Sequence, residues 1–140
     1  MLTLHIMNLR LLQAYISYCL HARHRNGHGI HSPFMYEFAR SVFFAPRKAG
    51  EARCRQERTA ARVAAFCERR GLRCIAVAGK KDVADFGEGS IAMLRQPYRH
   101  PDLRQLLEQH QSARVAVDCR SWMIVFAVSA LQKQKYVVRT

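Results

Sequence analysis

Along the first twenty residues, MLTLHIMNLRLLQAYISYCL, apolar positions dominate, and Thr3, Arg10 and Ser17 recur seven apart with Gln13 beside them. Polar groups at that spacing share one narrow face, which predicts an amphipathic helix burying most of its circumference against the domain or a partner. A second helix is predicted to start at Ser32-Pro33. Serine as N-cap accepts an orphan N–H there, and proline at the first helical position has no N–H to satisfy. Apolar residues Phe34, Met35, Phe38, Ala39, Val42 and Phe43 carry this helix to about Phe44, before Ala45-Pro46. A third runs from Glu51 to Arg70 and stops at Gly71, the residue type that tolerates a left-handed C-terminal position. On a helical wheel Ala60, Val63, Ala64 and Cys67 fall on one face and Arg55, Arg58, Arg62 and Arg69 on the opposite one. That arginine row is either a solvated face or a stripe that docks phosphates.

Beyond Gly71 the period changes. CIAVA (Cys74 to Ala78) and SIAML (Ser90 to Leu94) are short apolar runs of the kind that form buried parallel strands. The link between them is short for a parallel crossover, so either its helix is about one turn or the two strands are not neighbours. DLRQLLEQH, after Pro101, returns to helix. ARVAVDCRSWMIVFAV reads as two strands about a turn near Asp118 to Ser121, and KYVVRT as a last strand. Helices followed by alternating strands and helices predict an α/β layer with a helical N-terminal extension. With 140 residues the chain is one domain, residues 1–45 forming the extension and 50–140 the reduced α/β part.

Composition agrees with a folded chain, since 49% of residues are hydrophobic and 24% charged, unlike a disordered polymer. Charge changes the picture. The 23 Lys and Arg against 10 Asp and Glu leave a formal net charge of +13, and most of the bases are arginine. Arginine's planar fork suits phosphate and carboxylate, so an anionic partner such as RNA or an acidic protein is expected, coding bias toward arginine being the plain alternative. Five scattered cysteines without a C-x-x-C pair argue against a disulfide framework or zinc ribbon and for a reducing, cytoplasmic setting. Asn8, Arg10 and Gln13 interrupt the apolar N-terminus, which therefore suits neither a signal peptide nor a transmembrane segment. A homodimer that covers an exposed sheet edge is expected.

The stretch RHRNGHGIHSPF, from Arg23 to Phe34, concentrates the candidate chemistry. His21 and His24 lie at helical spacing and His28 or His31 could join them, but the stretch holds no cysteine or carboxylate, and Asn26-Gly27 and Gly29 loosen any cage, so no metal is expected. An anion fits better: free N–H groups at the helix start near Ser32, with Arg23, Arg25, His28 and His31 beside them, form an anion or substrate site. Further along, Asp118 is a candidate partly buried acid or an ordinary turn residue. Trp122 and the Tyr98-Arg99-His100 group are candidates for base stacking or core.

HARHRNGHGIHSPFMYEFAR (His21 to Arg40) resembles the N-terminal signature, H-G-x-H-S-P-F, of a bacterial, Bacteroidetes-type family of class I S-adenosylmethionine-dependent methyltransferases. The segment from Gly89 to Thr140 is similar to the C-terminal end of the same proteins: a strand, a short helix, a two-strand turn and a last strand with Q-x-Y-V-V-R. The resemblance covers about half the chain, at its two ends. It implies that the helical extension packs on a small, partial Rossmann-like mixed sheet, reduced from the family's doubly wound sheet. The family's sheet holds S-adenosylmethionine at a glycine-rich turn after the first strand, with an acid after the second strand on the ribose. The stretch between Arg40 and Gly89 is too short for that cofactor half. Asp85-Phe86-Gly87-Glu88-Gly89 fits the D-x-G-x-G shape of such a turn and makes Asp85, Gly87 and Gly89 the candidate cofactor residues, against a plain glycine turn between strands. Three functions stay open: a non-catalytic basic interaction module derived from this family; a methyltransferase that binds cofactor through Asp85 to Gly89 or with a partner chain; and a small RNA-binding protein.

Overall fold

In a computed structural model of the chain, residues 32–137 are described, with side chains for 33–136. The predicted first helix, the histidine-rich stretch and the last three residues lie outside them. The described part is a mixed α/β fold. Helix α1 spans Ser32–Ala39 and continues as a π-helical turn over Arg40–Phe44; α2 spans Arg55–Arg70; β1, Arg73–Val77; α3, Lys80–Asp85; β2, Ser90–Arg95. A 3-10 turn at Pro97–Arg99 leads into α4 (Pro101–Glu108), and β3 (Val115–Asp118), β4 (Trp122–Ala127) and β5 (Gln134–Val137) complete the chain order.

The five strands form one sheet in the order β1-β2-β4-β3-β5. β1 pairs parallel to β2 and β3 parallel to β5, while β4 runs antiparallel to both its neighbours β2 and β3. The β3–β4 hairpin therefore inserts one reversed strand into an otherwise parallel sheet. β1 and β2 are direct neighbours in register Cys74 to Ile91 and Ala76 to Met93, so the short crossover is made by the six residues of α3. KKDVADF offers only Val83 and Phe86 as buried apolar anchors, which is why its pattern does not announce a helix.

Both sheet faces are covered. On one, Met35, Phe38 and Val42 of α1 and its π turn and Val63, Phe66 and Cys67 of α2 pack on Ile91, Ile124 and Phe126. Phe38 centres this layer, with edge-to-face contacts to Phe43, Phe66 and Phe126 at 4.7–5.8 Å between centroids. Quadrupole geometry favours that arrangement over flat stacking. On the other face Val83 of α3, Phe86 just after it and Leu107 of α4 close over Leu94, Met123 and Val125. The alternation along β2 and β4 divides their side chains between the two cores, as a two-residue strand period requires.

Candidate basic surface and strand-end cluster

The buried face of α2 is Thr59, Arg62, Val63, Phe66 and Cys67. Those positions follow the three-and-four spacing of one helical stripe. Ala64, expected on the buried face, is exposed, and Arg62, expected in the outward row, is 9% exposed. The row as drawn from the wheel is therefore not formed. Arg62 points into the turn that follows α1, where Nη1 donates to the carbonyls of Val42 (3.1 Å) and Ala45 (2.7 Å) and Nη2 to that of Pro46 (2.9 Å). Its Nε and Nη2 also make a fork onto Glu51 Oε2 and Oε1, each at 2.8 Å. The physical reason is that the π turn and Ala45-Pro46 leave carbonyls without helical partners, and a guanidinium carries five donors in one plane. Glu51 also accepts from the Lys48 N–H at 2.8 Å. Arg62 and, after it, the Lys48 N–H hold the Glu51 carboxyl down to about 2 from an ordinary 4.5. Glu51 in turn pushes the Arg62 guanidinium up.

Around this pin lie two concavities. One is lined by Arg47, Arg55, Arg58, Thr59 and Arg62 with apolar Val42, Phe43 and Pro46; its neighbour by Ser41, Lys48, Glu51, Arg62 and Arg69. Glu51 is the single acid among these lining residues, and both its oxygens are engaged by Arg62. Arg58 donates to the carbonyls of Ala52 and Arg53, which steadies the chain before α2. Arg69 lies 6.0 Å from the Phe66 ring, and Arg70 stacks on Phe34 and Phe66 while pairing with Glu37. Arg55, Arg58 and Arg69 of the expected stripe thus surround the two concavities with Arg62 fixed between them. Arg47, Lys48 and Glu51, which sequence reasoning did not single out, complete the surface. The signal for them is the acid and the bases within PRKAGE, directly after a helix-ending proline.

The Asp85–Gly89 segment runs from a helix into a strand: Asp85 is the last residue of α3 and Gly89 precedes β2. The amides of both its glycines are used internally. Gly87 N–H donates to Ser90 Oγ at 3.2 Å and Gly89 N–H to the Ala127 carbonyl at 2.7 Å, while Glu88 Oε2 accepts from Ser129 N–H. Gly89 has φ +81, a left-handed value that explains the glycine without a ligand. A turn that does run from strand to helix is Ala78-Gly79, between β1 and α3. Its two N–H groups donate to Asp82 Oδ2 at 2.8 and 3.1 Å, so a carboxylate of the chain itself fills the place of an anion.

At the carboxyl ends of β2 and β3 a third group of residues meets. Asp118 is 2% exposed and accepts from Tyr98 OH (2.9 Å) and from Arg120 N–H (3.0 Å), with Arg104 Nη2 at 3.7 Å. Although Tyr98 is 57% exposed, desolvation of its hydroxyl and then the Asp118 bond raise it above its ordinary value. Gln96 and Arg120, with φ of 48 and 73, are the described non-glycine residues in left-handed geometry, and Gln96 N–H is tied to the Ser121 carbonyl at 2.7 Å. Trp122 packs beside the α1/α2 core and donates its indole N–H to the Gln56 carbonyl at 3.0 Å. Asp118 and Trp122 are thereby joints of the fold.

Ser32 is the first residue of α1; Arg23, Arg25, His28 and His31, expected to form an anion site with it, lie outside the described residues. Among the described residues no group of three metal-ligating side chains forms, and no helix is long and apolar enough to cross a membrane. Comparison with protein-family models, with curated proteins and with solved structures finds no match to the chain.

Proposed function

We propose that the chain is a non-catalytic binding module with a reduced, Rossmann-like architecture, related to S-adenosylmethionine-dependent methyltransferases, and that it engages a phosphate-bearing polymer, RNA, through the basic concavities beside α2. The observation that carries this reading is the pair of concavities lined by Arg47, Lys48, Arg55, Arg58 and Arg69, whose one acid is consumed by Arg62. Guanidinium groups held on a rigid helix match phosphate oxygens with little ordering cost.

The order of β2, α4, the β3–β4 hairpin and β5 supports the family relationship, because it is the succession expected for the end of such a sheet. The Asp85–Gly89 turn supports the non-catalytic part. It leads out of a helix, and the amides of Gly87 and Gly89 are spent within the protein, which weighs against a cofactor cradle there. The strand-end Asp118 has its oxygens engaged by donors and offers no free base.

Fluorescence anisotropy with a labelled single-stranded RNA, beside calorimetric titration with S-adenosylmethionine, tests the proposal. RNA binding that weakens steeply with salt, together with no heat from the cofactor, is expected. Stoichiometric cofactor binding would overturn the non-catalytic reading in favour of an active methyltransferase, and RNA affinity indifferent to salt would overturn the role of the arginines.

A further inference from the structure

The edges of the sheet are made differently. β5 carries Lys135 and is preceded by Lys133, and lysine on an edge strand opposes the addition of another strand. β1, at the opposite edge, holds no charge and no proline from Cys74 to Gly79. Its composition is that of a core strand, yet Cys74 and Ala76 are exposed and Ile75 is half-buried, whereas β2 is buried from Ser90 to Leu94.

The ladder fixes which main-chain groups of β1 point outward. Arg73 N–H donates to the Gly89 carbonyl at 2.9 Å, so Arg73, Ile75 and Val77 turn their main-chain groups to β2, and Cys74, Ala76 and Ala78 turn theirs away. Ala78 N–H is taken by Asp82 Oδ2 at 2.8 Å, and Leu72 N–H by the Cys67 carbonyl at 2.9 Å. Cys74 and Ala76 remain, without a main-chain partner on the outer side among the described residues.

We propose that this edge joins a second copy of the chain, β1 running antiparallel to the β1 of its partner in a register centred on Ile75. Cys74 then lies opposite the partner's Ala76, each donating its N–H to the other's carbonyl, and the paired Ile75 side chains meet on the α3 face. A register centred on Cys74 or on Ala76 would instead set an open residue against Leu72 or Ala78, whose N–H groups are already used. The Ile75 register also places Arg73 opposite the partner's Val77, so no cations of the strand face each other. A two-fold axis normal to the sheet relates the copies, which leaves both α2 helices on one face. The pairing stands apart from the RNA reading, and its test needs no RNA.

Sedimentation equilibrium of the full chain, with hydrogen exchange and oxidative cross-linking, tests it. Twice the chain mass of 16.1 kDa at micromolar concentration and slow exchange at the Cys74 and Ala76 amides are expected. Oxidised Ile75→Cys is expected to form a disulfide between the introduced sulfurs, because a directly facing pair of this kind has Cα atoms about 4.5 Å apart. Ile75→Lys sets like charges together, and Ala76→Pro removes an outward N–H. Each is expected to sediment as a single chain with an unchanged circular dichroism spectrum. A natural chain that sediments at 16.1 kDa throughout, a dimer that survives either substitution, or an Ile75→Cys chain that links only through other cysteines would overturn the proposal. So would a monomer with both amides protected, which would give the edge to another segment of the same chain.

Discussion

Arg62 joins α2 to the turn after α1 and to Glu51, and it does so with every nitrogen of its guanidinium. Truncating it leaves three carbonyls without their donor in a largely enclosed place. Arg62→Ala is therefore expected to lower unfolding stability by about 2–3 kcal/mol, read from urea denaturation, whereas Arg55→Ala on the exposed face changes it by no more than about 0.5 kcal/mol. The pair also sets a pH dependence. Because the folded Glu51 carboxyl is depressed, its contribution is present above about 4.5 and lost as pH falls toward about 2. Urea midpoints taken downward from neutral pH fall across that window, and Glu51→Gln flattens that part of the fall. A wheel places Arg62 outward because it treats charge as a mark of solvent. What reverses the assignment is a set of unpaired carbonyls in the chain between Val42 and Pro46, which no local pattern in α2 records.

At the scale of elements, the pieces most plainly written in the sequence are those whose pattern and boundary residue agree. Gly71 ends α2 with φ +68, and the apolar runs beginning at Cys74 and Ser90 become the parallel pair β1 and β2. α3 is harder to read, since a six-residue helix with one buried residue, Val83, has too little period to show. The start of α2 also falls later than expected, at Arg55, because Glu51 is drawn off to Arg62. Gly71 and Gly79 separate backbone demand from space. A Cβ meets nothing within 4 Å at either, but only Gly71 has a left-handed φ; Gly79 is extended at φ −158. Gly71→Ala is expected to cost about 1 kcal/mol and Gly79→Ala to stay within about 0.5 kcal/mol of the natural chain, measured by thermal or urea unfolding.

For the whole molecule, the α/β class and the succession of strands could be read from periodicity, but the insertion of β4 between β2 and β3 could not. Strand order depends on which apolar faces meet, and Ile91, Phe126 and Val115 carry no mark of which neighbours which. The candidate surface was half legible for the same reason. Arg55, Arg58 and Arg69 stand out in sequence, while Arg47 and Lys48 join them only because the turn after α1 folds back on α2. That convergence is the basis of the binding reading, and the salt dependence of RNA affinity in the natural chain and in Arg47→Ala/Arg55→Ala addresses it most directly. Each lost phosphate contact shifts the slope of log K against log salt by about 0.7 for a single strand, so the double variant is expected to flatten the slope by about 1.4 with folding unchanged. An unchanged slope in the variant would contradict the account.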